Sequence, residues 1–273
     1  MNTKPEICLK SFYSDDPDGE KSGQGLAFVP VLGEELSQIS TLDWLMSPAE
    51  QIGVIYLLER LKPRVSIEIG TRYGGSLQVL AKLSEKVYSL DLDPDVPRRL
   101  AGKFANVEYI TGSSRTTLPP LVEQLQKANE PVSFVLIDGD HSAEGVRCDI
   151  DSILQFRPVT PLFIIMHDSY NPECRKGITS ANWAGNPYVH SVELDFISGC
   201  LNPARAWRGE LWGGLGLAVL LPEKRSGRFE VTGRGNLTVQ TLRPLHNARL
   251  LLKQAHGFLA HRWNKKSSRE TSS

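Results

Sequence analysis

Between Val65 and Asp168, five short apolar runs alternate with four stretches of helical pattern, and each run stops at a small or polar residue. The runs are Val65–Ile69 before Gly70, Val87–Leu90 before Asp91, Val107–Ile110 before Gly112 and Ser113, Val132–Ile137 before Asp138, and Leu162–Met166 before His167 and Asp168. Helical stretches follow at Ser76–Leu83, Pro97–Phe104, Pro120–Ala128 and Ala143–Phe156. Strands that alternate with helices pair in parallel, with helices covering both faces of the sheet. Right-handed crossovers then leave a doubly wound sheet as the topology. Ser47-Pro48 opens a helix ahead of this series, with proline at its first position and Ile52, Ile55, Tyr56 and Leu58 as its apolar stripe. Two later runs, Ser191–Phe196 and Leu215–Leu221, are expected to form an antiparallel pair at one edge. The expected fold class is therefore α/β, with a doubly wound, mostly parallel, seven-stranded sheet.

Composition narrows the class of protein. The chain has 273 residues, 40% of them apolar and 23% charged, which excludes a disordered or collagen-like chain. Lys+Arg and Asp+Glu balance at 31 each, which argues against a dedicated nucleic-acid binder. The balance conceals an uneven distribution. Pro222–Ser273 carries a net +8 and residues 1–221 a net −8. Cys8, Cys148, Cys174 and Cys200 form no CxxC pair, which fits reduced thiols in a cytoplasmic protein. Met1–Lys10 has no apolar signal region, and runs such as Leu215–Leu221 are far shorter than the roughly 20 residues that span a bilayer.

Three segments result: an N-terminal extension or lid over 1–43, the α/β domain over 44–222, and a basic tail over 223–273. In the tail, Leu245, Ala248, Leu252, Ala255, Leu259 and Trp263 make a helical stripe. Such a helix packs on the domain or on a second copy of the chain, or lies on an acidic membrane surface.

Ligands of open α/β sheets bind beyond the carboxyl ends of the strands. The glycine cluster Gly70, Gly74 and Gly75, between Thr71 and Ser76, fits either a structural turn or a loop that cradles a ligand, with Ser76 capping the next helix. Asp91 can accept hydrogen bonds from the two hydroxyls of a ribose, or be a solvated turn residue. Glu68, two residues before Gly70, would repel a pyrophosphate and suits a ligand with an ammonium group. Adjacent strands lie about 4.8 Å apart, so Asp138 and Asp168 can converge on one cation, while a polar rim without metal is the alternative. Imidazole at His167 favours a transition metal over Mg²⁺. His141, three residues past Asp138, stands where a general base would act near neutral pH.

These phrases, Glu68-Ile69-Gly70-Thr71 with Gly74-Gly75-Ser76, Ile137-Asp138-Gly139-Asp140-His141 and Met166-His167-Asp168, resemble class I S-adenosylmethionine-dependent methyltransferases, and more narrowly the methyltransferase domain 24 family. The likeness covers roughly Val65–Asp168 and implies a Rossmann-like fold. It implies that Gly70, Thr71, Gly74 and Ser76 hold the methionine end of the cofactor, with Glu68 towards its ammonium. Asp91 is implied at the ribose and Ser113 beside adenine. By likeness to catechol-type and sugar O-methyltransferases, Asp138, His167 and Asp168 hold a divalent metal, Mg²⁺ or a transition metal, and His141 is the base. Asp138 then borders both the cofactor and the metal. His167 departs from the pattern, which has an acid there. The implied acceptor is a small-molecule or glycan hydroxyl, with walls drawn from Ser169–Gly214 and its Trp183, Tyr188, Trp207 and Trp212.

Rival readings are an NAD(P)-dependent oxidoreductase, a non-catalytic nucleoside-binding module, and metal-based redox chemistry. Glu68 and the glycine spacing argue against the first.

Overall fold

The computed structural model describes residues 42–202, 208–233 and 235–270, with side chains described as far as 253. The proposed lid over 1–43 thus lies almost wholly outside the described residues, as do Trp207 and the side chains of Ala255, Leu259 and Trp263.

Helix α1 (Pro48–Leu61) leads into β1 (Val65–Ile69), α2 (Leu77–Leu83), β2 (Lys86–Asp91), the single turn α3 (Val96–Arg99), β3 (Val107–Thr111), α4 (Ser114–Lys127), β4 (Val132–Ile137), α5 (Ala143–Ile153) and β5 (Leu162–His167). Then come α6 (Pro172–Ser180), β6 (Val189–Ile197), the short β7 (Cys200–Leu201) and β8 (Leu211–Trp212), β9 (Leu215–Leu220), β10 (Val231–Thr232) and α7 (Asn236–Glu270). The main sheet has the order β10-β6-β9-β5-β4-β1-β2-β3. Strands β3, β2, β1, β4 and β5 are parallel, and β9 runs antiparallel between β5 and β6. This is the expected doubly wound sheet with its antiparallel edge pair, and β10 adds two residues to the outer edge. Strand order reverses between β1 and β4, so the crevice of such a fold lies over the ends of those two strands.

The central strands are apolar throughout because both faces are covered. Every residue of β1 is buried, and Phe134, Val135 and Leu136 of β4 are fully enclosed. One core packs β1 and β4 against α4 and α5, and the other packs α1 and α2 on the opposite face.

Several sequence expectations shift. Helix α1 starts where expected, with Ser47 and Glu50 forming a capping box, but it buries Glu50, Gly53, Val54, Ile55, Leu57 and Leu58 while Ile52 and Tyr56 stay exposed. Helix α4 begins six residues before Pro120, because Ser113 in extended backbone starts it and the buried row Leu118, Leu121, Val122 and Leu125 carries it past both prolines. The helix expected over Pro97–Phe104 is only a turn, followed by Gly102 in left-handed backbone. Helix α7 packs on the domain through Val239 and His246, with Leu242 at the margin, whereas Leu245 and Leu252 of the expected stripe are exposed. None of the described helices is long and apolar enough to cross a membrane.

Candidate active site

Two hydrogen-bonded clusters meet over the β1/β4 switch. The first is built on the ends of β1 and β2. Glu68 is fully buried, and its two oxygens accept hydrogen bonds from Thr71 Oγ1 at 2.7 Å and Ser76 Oγ at 2.5 Å. Ser89 on β2 joins the same network through the Thr71 hydroxyl. Burial raises the Glu68 pKa to about 7; the two hydroxyls oppose the shift, and the charges of Asp138 and Asp91 add to it. Asp91 accepts the backbone N–H groups of Thr71 at 2.8 Å and Arg72 at 2.7 Å through Oδ2, and that of Asp93 at 2.8 Å through Oδ1. A carboxylate has about four lone-pair sites, so Asp91 shapes the glycine loop and retains acceptor capacity for a ligand hydroxyl.

The expectation that Ser76 caps α2 fails: it occupies the cap position in helical backbone without a capping bond, because its hydroxyl is committed to Glu68. Gly70 is required. Its φ is +89° and a Cβ there would overlap the carbonyl oxygen of Asp138, so only glycine lets the ends of β1 and β4 approach this closely. Across Gly75 and Gln78 lies the segment Leu42–Trp44, held by Leu42 N–H on Gln78 Oε1 at 3.2 Å and by Gln78 Nε2 on Leu42 O at 3.1 Å. Ser113 sits apart at the end of β3, partly exposed, with no capping bond from its hydroxyl.

The second cluster lies at the ends of β4 and β5. Asp138, His141, His167 and Asp168 each present one donor atom, and these atoms lie within 4.8 Å of one another. His167 Nδ1 is 2.8 Å from Asp138 Oδ1 and 3.4 Å from Asp168 Oδ2. His141 Nε2 is 3.1 Å from Asp168 Oδ2 and 3.4 Å from Asp138 Oδ1. Burial disfavours charge on Asp138, but His167 and His141 outweigh it and hold the carboxyl well below its usual range. The same carboxylates hold His167 well above the ordinary histidine value, against the effect of burial. Hydrogen bonds to Asp138 and Asp168 raise His141 to about 10. The pull of the two carboxylates favours the protonated imidazole, so action of His141 as a base requires their charge to be engaged by another group.

The sequence reading missed three members of this site. Glu50, on α1, is almost completely buried behind His167, with Oε1 3.5 Å from His167 Nε2. Its Oε2 accepts the Ser47 N–H at 2.5 Å, and its Oε1 accepts the Gly214 N–H. Gly213 and Gly214, both at positive φ, turn the chain so that Gly213 N–H reaches Asp168 Oδ1 at 2.6 Å. Asp168 itself has φ +57°, a left-handed conformation unfavourable for a residue with a side chain. The capping-box spacing was a signal for Glu50 as a helix start, though not for its contact with β5.

Of the aromatic walls expected, Trp212 is at the site. Its ring meets His141 edge-on at 5.6 Å, and its Nε1 donates to Glu210 Oε2 at 3.1 Å. Trp183 and Tyr188 are not, since they precede β6, whose start is level with the beginning of β5 at the other end of the strands from His167. Trp183 is buried there with its Nε1 on Ile178 O at 2.7 Å.

The sequence profile of the family described as "Methyltransferase domain" matches residues 67–169. The matched span holds both clusters from Glu68 to Asp168, and excludes Glu50, Trp212 and the Gly213-Gly214 turn. A rhamnosyl O-methyltransferase of Mycobacterium bovis (strain BCG / Pasteur 1173P2) is 28% identical over 124 residues, 41% of this chain and 49% of that protein. The chain thus spans about half the length of the curated relatives it matches. Among solved structures, cofactor-bound Rv0187 from MTB aligns at TM-score 0.49 and 21% identity, covering 72% of this chain and 92% of that one. An O-methyltransferase from Bacillus cereus in complex with SAH aligns at TM-score 0.47 and 17% identity, covering 64% of this chain and 82% of that one.

Proposed function

We propose that the chain is an S-adenosylmethionine-dependent O-methyltransferase acting on a hydroxyl of a small molecule or sugar, assisted by a divalent cation. The observation that carries this reading is the abutment of the two clusters at Gly70 and Asp138, inside the span that matches the methyltransferase family. A methyl donor and an acceptor oxygen have to be held in contact, and catalysis of such a transfer is largely positioning.

In this reading the loop Gly70–Ser76 and Glu68 line the methionine end, Asp91 takes the ribose hydroxyls, and Ser113 borders adenine. S-adenosylmethionine supplies an electrophilic methyl group on a positively charged sulfur. Asp138, His167 and Asp168 would hold the cation, with His141 beside them, since the four clustered donors of mixed oxygen and nitrogen fit one. A divalent ion bound there polarises a coordinated hydroxyl. The remaining work belongs to the side chains. Trp212 walls the acceptor space and keeps water from one side of it. His141, exposed at the rim, accepts the acceptor's proton, a role that requires the charge of Asp138 and Asp168 to be engaged elsewhere. A cytoplasmic setting belongs to the same reading, supported by the unpaired thiols of Cys148, Cys174 and Cys200.

Calorimetry with S-adenosylhomocysteine and with NADP⁺ tests the cofactor, followed by methyl transfer from labelled S-adenosylmethionine to a panel of sugar and phenol hydroxyls. Saturable heat with the first nucleoside alone, and label on a hydroxyl, is the expected result. Heat with NADP⁺ alone, or no heat with either, overturns the reading.

A further inference from the structure

The buried acid behind His167 has no part in the roles assigned above. Glu50 lies on a different element from the cluster, 117 positions before His167, and both of its oxygens are hydrogen-bonded. Ser47 N–H occupies one of its oxygens and Gly214 N–H the other. That second oxygen also faces His167 Nε2, which is itself buried and has no hydrogen-bond partner. The opposite nitrogen of the ring, Nδ1, faces Asp138 and Asp168. A histidine that presents one nitrogen to a cluster of donors and the other to a fixed carboxylate has the geometry of a metal ligand with its orienting partner.

The donor set bears on which ion is taken. Two of the four clustered donors are imidazole nitrogens, and nitrogen ligands suit first-row transition ions, whereas Mg²⁺ favours oxygen and water. We propose that Glu50 is a positioning residue that fixes the His167 ring through Nε2, and that the cluster it serves selects a first-row transition dication over Mg²⁺. The inference deepens the metal-assisted reading and rests on it only for what the ion does in turnover. Glu50 keeps the ring plane from rotating, so the Nδ1 lone pair stays directed at the space between Asp138 and Asp168. The same carboxylate ties α1 to the Gly213-Gly214 turn, whose N–H groups reach Asp168 and Glu50 in succession. One acid thus aligns ligands on both sides of the ion.

The test titrates Co²⁺ into chelator-stripped, full-length protein, without nucleoside or acceptor, and reads visible d–d absorption together with heat. Co²⁺ is expected to bind at least about ten-fold more tightly than Mg²⁺, and Glu50→Gln to weaken Co²⁺ about 10–100-fold. Ser47→Ala breaks the same capping box but leaves Glu50 facing His167. It should lower the melting temperature and keep Co²⁺ affinity within about three-fold, below the 10–100-fold loss that separates a positioning role from a structural one. His167→Asp, which makes three of the four donors oxygen, should collapse the preference for Co²⁺ over Mg²⁺, and does not depend on Glu50→Gln folding. Equal affinity for the two ions in the wild type, an unchanged Co²⁺ spectrum and affinity in Glu50→Gln, an equal loss in Ser47→Ala, or an unchanged preference in His167→Asp would each overturn the proposal. Binding of S-adenosylhomocysteine is measured separately, so failure here leaves the methyltransferase reading standing, and the converse also holds.

Discussion

On the β1–β2 side of the switch point, the acids are satisfied from within. Glu68 gives both oxygens to hydroxyls and Asp91 gives its own to three backbone N–H groups. On the β4–β5 side, two carboxylates confront two imidazoles, and His167 Nε2 has only the Glu50 carboxylate before it, at 3.5 Å. The first half is a finished frame whose shape is set before anything binds. The second concentrates opposite charges in a buried site, an arrangement that persists only where surrounding structure enforces it. Such a division suits a site in which one half recognises a constant ligand and the other carries the chemistry.

Four experiments press on that contrast. The largest effect is expected from His141→Ala, which should lower methyl-transfer turnover about 10²–10⁴-fold while S-adenosylhomocysteine affinity holds in calorimetry. A matching loss of nucleoside affinity would mean that the halves are one unit.

Glu68 comes next, and the readout is stability against pH. Its folded pKa of about 7 lies above the ordinary 4.5, so the folded state binds the extra proton between those values. The stabilisation is complete below about 4.5 and is lost as pH rises through about 7, by an amount of about 3 kcal/mol. Urea unfolding of Glu68→Gln against wild type at pH 5 and pH 8 should show this slope removed. Identical slopes would mean that Glu68 is not protonated in its pocket.

Asp91→Ala should cost about 10–100-fold in S-adenosylhomocysteine affinity, the equivalent of a lost charged hydrogen bond, with cation affinity unmoved. A fall in cation affinity in this variant breaks the division from the other side. The smallest effect belongs to Trp212→Ala, expected to raise KM for the acceptor about 2–10-fold with little change in kcat or in cofactor binding.

The sheet was legible because its central strands are apolar on both faces and stop at small or polar residues, as at Gly70, Asp91 and Asp138. The four clustered residues were legible for the same reason, since strand ends bring them to one edge. Where buried polar contacts decide the packing, hydropathy misled. Helix α7 turns His246 inward, its Nδ1 accepting the Leu211 N–H at 3.0 Å, and leaves leucines outside. Glu50 was hidden because its acid reads as an ordinary helix-start residue and its partner Gly214 is 164 positions away. The start of α4 was displaced because prolines normally mark a first turn, while here the buried leucine row carries the helix across them.

Strands β7 and β8 pair antiparallel, with Trp212 at the end of β8. Trp212 faces His141, but its position is fixed from behind by α7, through His246 on Leu211 and Lys253 on Glu210. The bay beside His141 is therefore walled on one side by Trp212, whereas the nucleoside pocket proposed here draws on Glu68 to Ser113 together with Asp138. On the proposed function, substitutions around Trp212 would retune what is admitted beside His141 while the frame on β1 and β2 keeps its shape.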